Sequence, residues 1–254
     1  MYDLDFTMDK YEIICQNLLK AKLTSSTVKD FLLKKNKSRI VILRHDVDKD
    51  PNLALKMAKI EYLYGIRSTY YFRYKRGVFD SNIIKNISNM GHEIGYHYEV
   101  LDKAKGDYFL AMEIFKEELK CLRNIAEVST ICMHGNPLTP WVNKDIWKKY
   151  NFEDFGILGE AYLSLNFNDI YYFTDTGRSW NSSKYSVKDI IDNYPIHKIN
   201  STDDLIDFMY KTDKNMCILV HPNRWKDKLI SWYIELIYQN IKNIGKLILN
   251  YRKH

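Results

Sequence analysis

Residues 40–48 read Ile40-Val41-Ile42-Leu43-Arg44-His45-Asp46-Val47-Asp48, four branched apolar residues running straight into a charged segment. A strand apolar on both faces is what a parallel sheet covered on both sides requires. The continuation is helical: Asp50 offers an N-cap and Pro51 an N1 residue, Leu53, Met57, Ile60 and Tyr64 share one face, and Gly65 stands where a C′ glycine belongs. The unit is therefore strand, polar loop, helix.

That unit recurs. Helical spacing covers 8–20 and 26–34, Ser68 to Phe72 reads as a strand, and a helix follows near 80–90. Glu93-Ile94-Gly95-Tyr96 is a short strand ending in His97, a helix spans about 107–126, and Thr130 to Met133 runs into His134-Gly135-Asn136-Pro137. Ile170 to Thr174 ends in Asp175-Thr176-Gly177-Arg178, Cys217 to Val220 ends in His221-Pro222, and an amphipathic helix closes the chain over about 226–248. Alternating strands and helices predict an α/β fold with a mostly parallel sheet. With no low-complexity linker, residues 1–254 are expected to form a single domain.

Composition narrows the classes. At 254 residues and 30.3 kDa with 46% apolar residues, the chain is neither disordered nor fibrous. The net charge of +6 comes from lysines and arginines spread along the whole sequence, which argues against a nucleic-acid partner. Cys15, Cys121, Cys132 and Cys217 form no C-x-x-C pair and read as reduced small hydrophobes. Acids near the start and no apolar stretch of about 18 residues predict a cytoplasmic protein without a membrane span. The 20 tyrosines and 11 phenylalanines read chiefly as core packing. No glycine-rich phosphate loop or G-x-S-x-G elbow is present.

The chemistry collects at strand ends. Of seven histidines, His45, His92, His97, His134 and His221 lie at or beside the end of a predicted strand, the edge on which parallel α/β folds build active sites. Asp46 and Asp48 are spaced i, i+2, so on an extended chain both carboxylates point to one side, suiting a metal ligand plus a general base. Asp175-Thr176-Gly177 matches a short aspartic protease signature, but the chain has no second copy and its α/β surroundings are wrong for one.

Arg44 to Asp48, Gly65 to Phe72 and Gly91-His92-Glu93-Ile94-Gly95-Tyr96-His97 together resemble the NodB-like polysaccharide deacetylases, carbohydrate esterase family 4. The likeness covers about residues 40–100 and returns at Cys217 to Pro222. It implies a single distorted (β/α) barrel holding one divalent metal ion, usually zinc with cobalt or nickel as alternatives, that removes N- or O-acetyl groups from sugars. On that mapping Asp46 is the base, His221 the general acid, and Asp48 with His97 the metal ligands. The family's two adjacent aspartates are separated here by Val47, which leaves open which of Asp46 and Asp48 binds metal. A second ligand histidine would fall at position 101, occupied by Leu101, so His134 is the candidate third ligand, its alternatives being substrate contact or packing, and Glu99 is the reserve.

Second-tier candidates share the same rim. Arg44 and His45 would fix Asp46 by hydrogen bonds, and Asp175 would orient His221 or another imidazole. Arg178 would grip a carboxylate or phosphate, and Trp180 would stack on a sugar ring. His92 reads as structural, and His197 and His254 as surface residues. Two other readings stay open: a metal-independent amide hydrolase on the same barrel, and an inactive carbohydrate-binding relative. The expected substrate is a cytoplasmic glycan precursor, such as a nucleotide-linked or lipid-linked sugar, and the number of copies in the assembly is left open.

Overall fold

A computed structural model describes residues 4–34, 39–180, 185–188, 191 and 199–251, with side chains to residue 248; His197 and His254 lie outside it. In chain order the elements are α1 (Met8–Lys20), β1 (Thr24–Ser26), α2 (Val28–Leu33), β2 (Ile40–Val47), α3 (Pro51–Leu63), β3 (Thr69–Phe72), α4 (Ser81–Asn89) and β4 (Glu93–Tyr98). They continue with α5 (Val100–Lys103), α6 (Tyr108–Arg123), β5 (Val128–Met133), β6 (Gly159–Glu160), β7 (Ile170–Thr174), α7 (Thr202–Lys211), β8 (Asn215–Val220) and α8 (Leu229–Tyr251).

Every described strand pairing is parallel, and the sheet runs β6-β5-β4-β3-β2-β8-β7 with β1 added beside β2. Curled and flanked by helices, with β6 and β7 at its two ends, it is a distorted (β/α) barrel. Consecutive residues of β2 serve opposite faces: Ile40 and Ile42 join an inner core with Tyr71, Cys132 and Cys217. Val41 and Leu43 join an outer one with Tyr11, Ile14, Met57 and Trp225. Burial on both sides is why the run is continuously apolar.

Several helix starts carry side-chain caps. Thr7, Asp80 and Asp107 accept backbone N–H bonds at their helix starts, and Ser201 with Asp204 forms a capping box. Asp50 precedes Pro51 as expected but accepts no capping bond, because the chain turns there through the left-handed region (φ 45°). The expected polar loop at Arg44–Val47 is strand instead. Both neighbours keep pairing, Arg44 to Val47 with Thr69 to Phe72 and as far as His45 with Val220, so the charged residues stay in the ladder.

Gly95 marks a close approach inside the barrel. A Cβ there would sit 2.3 Å from the ring of fully buried Tyr71 and 3.1 Å from the Thr130 carbonyl. Gly95→Ala is therefore expected to lower stability by about 1–3 kcal/mol, read as a lower urea midpoint at unchanged slope.

Candidate functional site

Strand alternation sorts the charged end of β2. Arg44 and Asp46 point to the inner face, while His45 points outward. The fully buried Arg44 guanidinium lies over the Tyr162 ring at 4.5 Å, and its Nη2 donates to Asp46 Oδ2 at 3.0 Å and to Cys132 Sγ at 3.0 Å. Burial alone would raise the Asp46 carboxyl, but Arg44, His97 and His221 hold it below its ordinary value. Asp46 is thus an ionised, oriented carboxylate.

One residue beyond β2, Asp48 Oδ1 lies 3.5 Å from His97 Nε2, 3.5 Å from His134 Nε2 and 3.9 Å from Arg73 Nη1. His97 comes from β4 and His134 directly follows β5, so adjacent parallel strands deliver both imidazoles to one place. Their rings are perpendicular (87°) with centroids 5.3 Å apart. His97 Nδ1 donates to the Cys132 carbonyl at 3.0 Å, which turns Nε2 toward Asp46 and Asp48, the way a ligand imidazole is usually oriented. Glu99 ion-pairs with Arg73 and lies 3.4 Å from His134 Nδ1.

The electrostatics follow from burial and crowding. Burial, helped by Arg73 and His97, brings His134 to about 4 against the pull of Asp48, so this imidazole is neutral at neutral pH, the state a metal ligand needs. Burial would lower His97, yet Asp46 and Asp48 raise it. Burial would raise Asp48, yet His134 and His97 bring it well below the usual carboxylate range.

These donors fit a divalent cation. Asp46 Oδ1, Asp48 Oδ1 and His134 Nδ1 are buried without a hydrogen-bond partner, although two imidazole nitrogens approach Asp48 Oδ1. One grouping is compact, and a second is looser, with two imidazole nitrogens each 3.5 Å from one carboxylate oxygen but the three donor atoms not all within 4.8 Å of one another. Asp46, His97 and Cys132 offer atoms all within 4.8 Å of one another. The Arg44 guanidinium, however, already sits 3.0 Å from both Asp46 and Cys132, repelling a cation there, and Cys132 does not line the cavity. Asp48, His97 and His134 do line it, and one oxygen with two nitrogens is a common donor set for catalytic zinc.

Across the same cavity of about 520 Å³ stands His221, just past β8. Its Nδ1 donates to Asp175 Oδ1 at 2.7 Å, leaving Nε2 as the nitrogen able to meet a substrate. Asp175 is fully buried and held by four donors: the His221 ring and backbone N–H, Arg224 Nη1 at 2.6 Å and Trp225 Nε1 at 2.8 Å. Burial would raise its pKa, but Arg224 and His221 bring it to about 2. Asp46, Thr176, Arg224 and Lys242 share the cavity wall with these groups.

Other sequence candidates fall elsewhere. His45, on the outer face, lies 2.6 Å from Glu61 within a buried cluster that also holds Tyr11, Ser68, Tyr70 and His92, so it cannot fix Asp46. Arg178 spends Nη1 on the Trp232 carbonyl and stacks on Trp232 at 4.7 Å, holding α8 rather than reaching the cavity. Trp180 is 1% exposed, donates to Thr202 and packs on Phe6 and Trp225, out of reach of a sugar ring. Leu101 is buried in the inner core. Arg73, Cys132, Arg224 and Trp225 were not singled out in the sequence. Arg73 and Arg224 carry the same signal as the histidines, a charged residue within four positions of a strand end.

No family model and no curated protein matches the chain. Among solved structures it is similar to a CE4 esterase of Streptococcus mutans, at 14% identity over 89% of this chain and 90% of that one, TM-score 0.46. It is also similar to the Xyl-CE4 domain of a multidomain xylanase from the hindgut metagenome of Trinervitermes trinervoides, at 12% identity over 86% and 84%, TM-score 0.41. A family 4 carbohydrate esterase of Bacillus subtilis matches at 11% identity over 95% and 90%, TM-score 0.39.

Proposed function

We propose that this protein is a metal-dependent hydrolase that removes an N- or O-linked acetyl group from a sugar or glycan precursor, residues 1–254 acting as a single domain. One observation carries the reading. A carboxylate fixed by an arginine (Asp46–Arg44) and an imidazole fixed by a carboxylate (His221–Asp175) share one cavity with Asp48, whose Oδ1 lies 3.5 Å from Nε2 of both His97 and His134. A simple sugar-binding cleft has no need of both an oriented base and an oriented acid.

In this reading Asp48, His97 and His134 hold the divalent ion, with zinc the first choice and cobalt or nickel the alternatives. When bound, the ion supplies Lewis acidity toward the acetyl carbonyl and toward water. Asp46 takes a proton from the attacking water while Arg44 keeps the carboxylate ionised and aimed. The acyl carbon gains the water oxygen and loses its bond to the sugar nitrogen or oxygen, and His221 Nε2 gives that leaving atom its proton. Asp175 holds the His221 ring in the orientation this transfer needs. The products are acetate and the free amino or hydroxyl sugar.

The substrate class follows from the sequence resemblance. We place the reaction in the cytoplasm, on a nucleotide-linked or lipid-linked sugar; no described helix is long and apolar enough to cross a membrane. Acetate release from acetylated amino sugars and their nucleotide-linked forms, measured with and without chelator, tests the proposal. Chelator-sensitive release supports it. Chelator-insensitive release would favour a metal-independent amide hydrolase, and saturable sugar binding without release an inactive relative.

A further inference from the structure

The last helix, α8, sits polar side in. Gln239 and Asn243 are 4% and 6% exposed. Gln239 donates to Asn243, Asn243 donates to the Gly177 carbonyl, and Glu235 lies 3.8 Å from Lys226. Facing outward are Ile230, Ile234, Ile237, Ile241, Ile244 and Ile248, exposed by 76, 63, 61, 65, 61 and 51%. An ordinary surface helix does the reverse.

The spacing of those isoleucines is 4, 3, 4, 3 and 4 residues, a 3.5-residue repeat held over the length of the helix. That is the a/d repeat of a left-handed coiled coil. We propose that this seam packs against the same seam of a second copy of the chain, so that the protein is a homodimer joined through α8.

Three features select a second copy. The positions bordering the seam, Ser231, Tyr233, Tyr238, Asn240, Gly245 and Leu247, carry no charge, so two identical seams meet without like-charge repulsion. Lys246 lies on the opposite side of the helix and walls the cavity, and the ammonium groups of Lys242 and Lys49 gather over one edge ring, Tyr238, at 4.1 and 5.2 Å, whereas a helix resting on anionic lipid presents lysines along the whole edge of its apolar face. With Tyr233, Tyr238 and Leu247, exposed by 51, 45 and 41%, the isoleucines form a patch on the order of 500 Å². That is in the upper part of the roughly 300–600 Å² that the largest, often functional, patch of a monomer covers, and it approaches the roughly 800 Å² each partner gives to a stable interface. The contact is isologous, so it closes at two copies. Because the same helix walls the cavity through Gln239, Lys242 and Lys246, and through Gly245 and Ile248 where the seam reaches the cavity mouth, pairing braces the mouth of the site. The inference stands on the helix alone and is independent of the proposed reaction.

Size-exclusion chromatography with light scattering, at tens of micromolar protein, tests it. The wild type is expected at twice the chain mass of 30.3 kDa, and the double variant Ile237→Glu/Ile241→Glu at one chain mass with an unchanged circular dichroism spectrum. Both side chains point away from the subunit body, so the fold does not depend on them. A wild type of single-chain mass, or a paired mass untouched by the double substitution, would overturn the proposal. So would a single-chain wild type that floats with phosphatidylethanolamine–phosphatidylglycerol vesicles, which would assign the face to lipid.

Discussion

His221→Ala is expected to slow deacetylation of an amino sugar by about 10²–10⁴-fold while sparing hydrolysis of 4-nitrophenyl acetate. An amine cannot leave as an anion and needs the proton that His221 Nε2 supplies; nitrophenolate leaves without one. Asp46→Asn should slow both substrates, because the attacking water loses its proton in either case. The variant also strips Arg44 of the carboxylate it donates to at 3.0 Å, so the folded fraction is measured alongside the rates. The contrast between the two substrates separates the acid from the base. If His221→Ala lost both activities equally, the general-acid role would fail; if Asp46→Asn retained both, the base would lie elsewhere.

Glu61→Gln is expected to cost about 3 kcal/mol of stability at pH 7. Glu61, on the buried face of α3, is fully buried; its Oε1 faces His45 at 2.6 Å and its Oε2 accepts from Ser68 at 2.5 Å and Tyr70 at 2.7 Å. Burial alone would raise its pKa, but His45, His92 and these hydrogen bonds bring it from 4.5 to about 2. A carboxyl that titrates lower in the folded state than in the unfolded one stabilises fully above the unfolded value. The contribution then drains away as pH falls from about 5 toward 2. Urea midpoints of wild type and variant at pH 7, 5 and 3.5 should therefore converge as acid is added. Other buried acids titrate in both proteins and cancel in the difference, so parallel curves would contradict this role for Glu61.

Much of the barrel is legible because β2, β3 and β8 are buried on both faces and carry runs of apolar or aromatic residues. β1 and β6, with three and two residues, carry too few side chains for any periodicity, and they form only because a neighbouring strand offers partners. α7 was missed although Ser201 and Asp204 give it a capping box. The site was legible to the extent that chemistry sits at strand ends, which brought Asp46, Asp48, His97, His134 and His221 into one list before any geometry was known. What spacing could not supply was the direction of each side chain. Adjacent residues of a strand serve opposite faces, so Arg44 reaches Asp46 while His45 joins the Glu61 cluster, and no pattern within five residues distinguishes them without knowing which face is inner. Its distance from β7 puts Trp180 at the rim in the sequence, but the left-handed turn at Gly177 and Arg178 (φ 81° and 52°) carries the chain back into the outer core.

The metal content of purified protein, by elemental analysis after incubation with zinc, tests the central claim most directly. Wild type, His221→Ala and Cys132→Ala should each hold about one divalent ion per chain, and Asp48→Ala, His97→Ala and His134→Ala should each lose it. Loss in Cys132→Ala with retention in His134→Ala would move the ion to the Asp46–His97–Cys132 group beside Arg44, and no ion in any of the six would contradict a metal-dependent hydrolase.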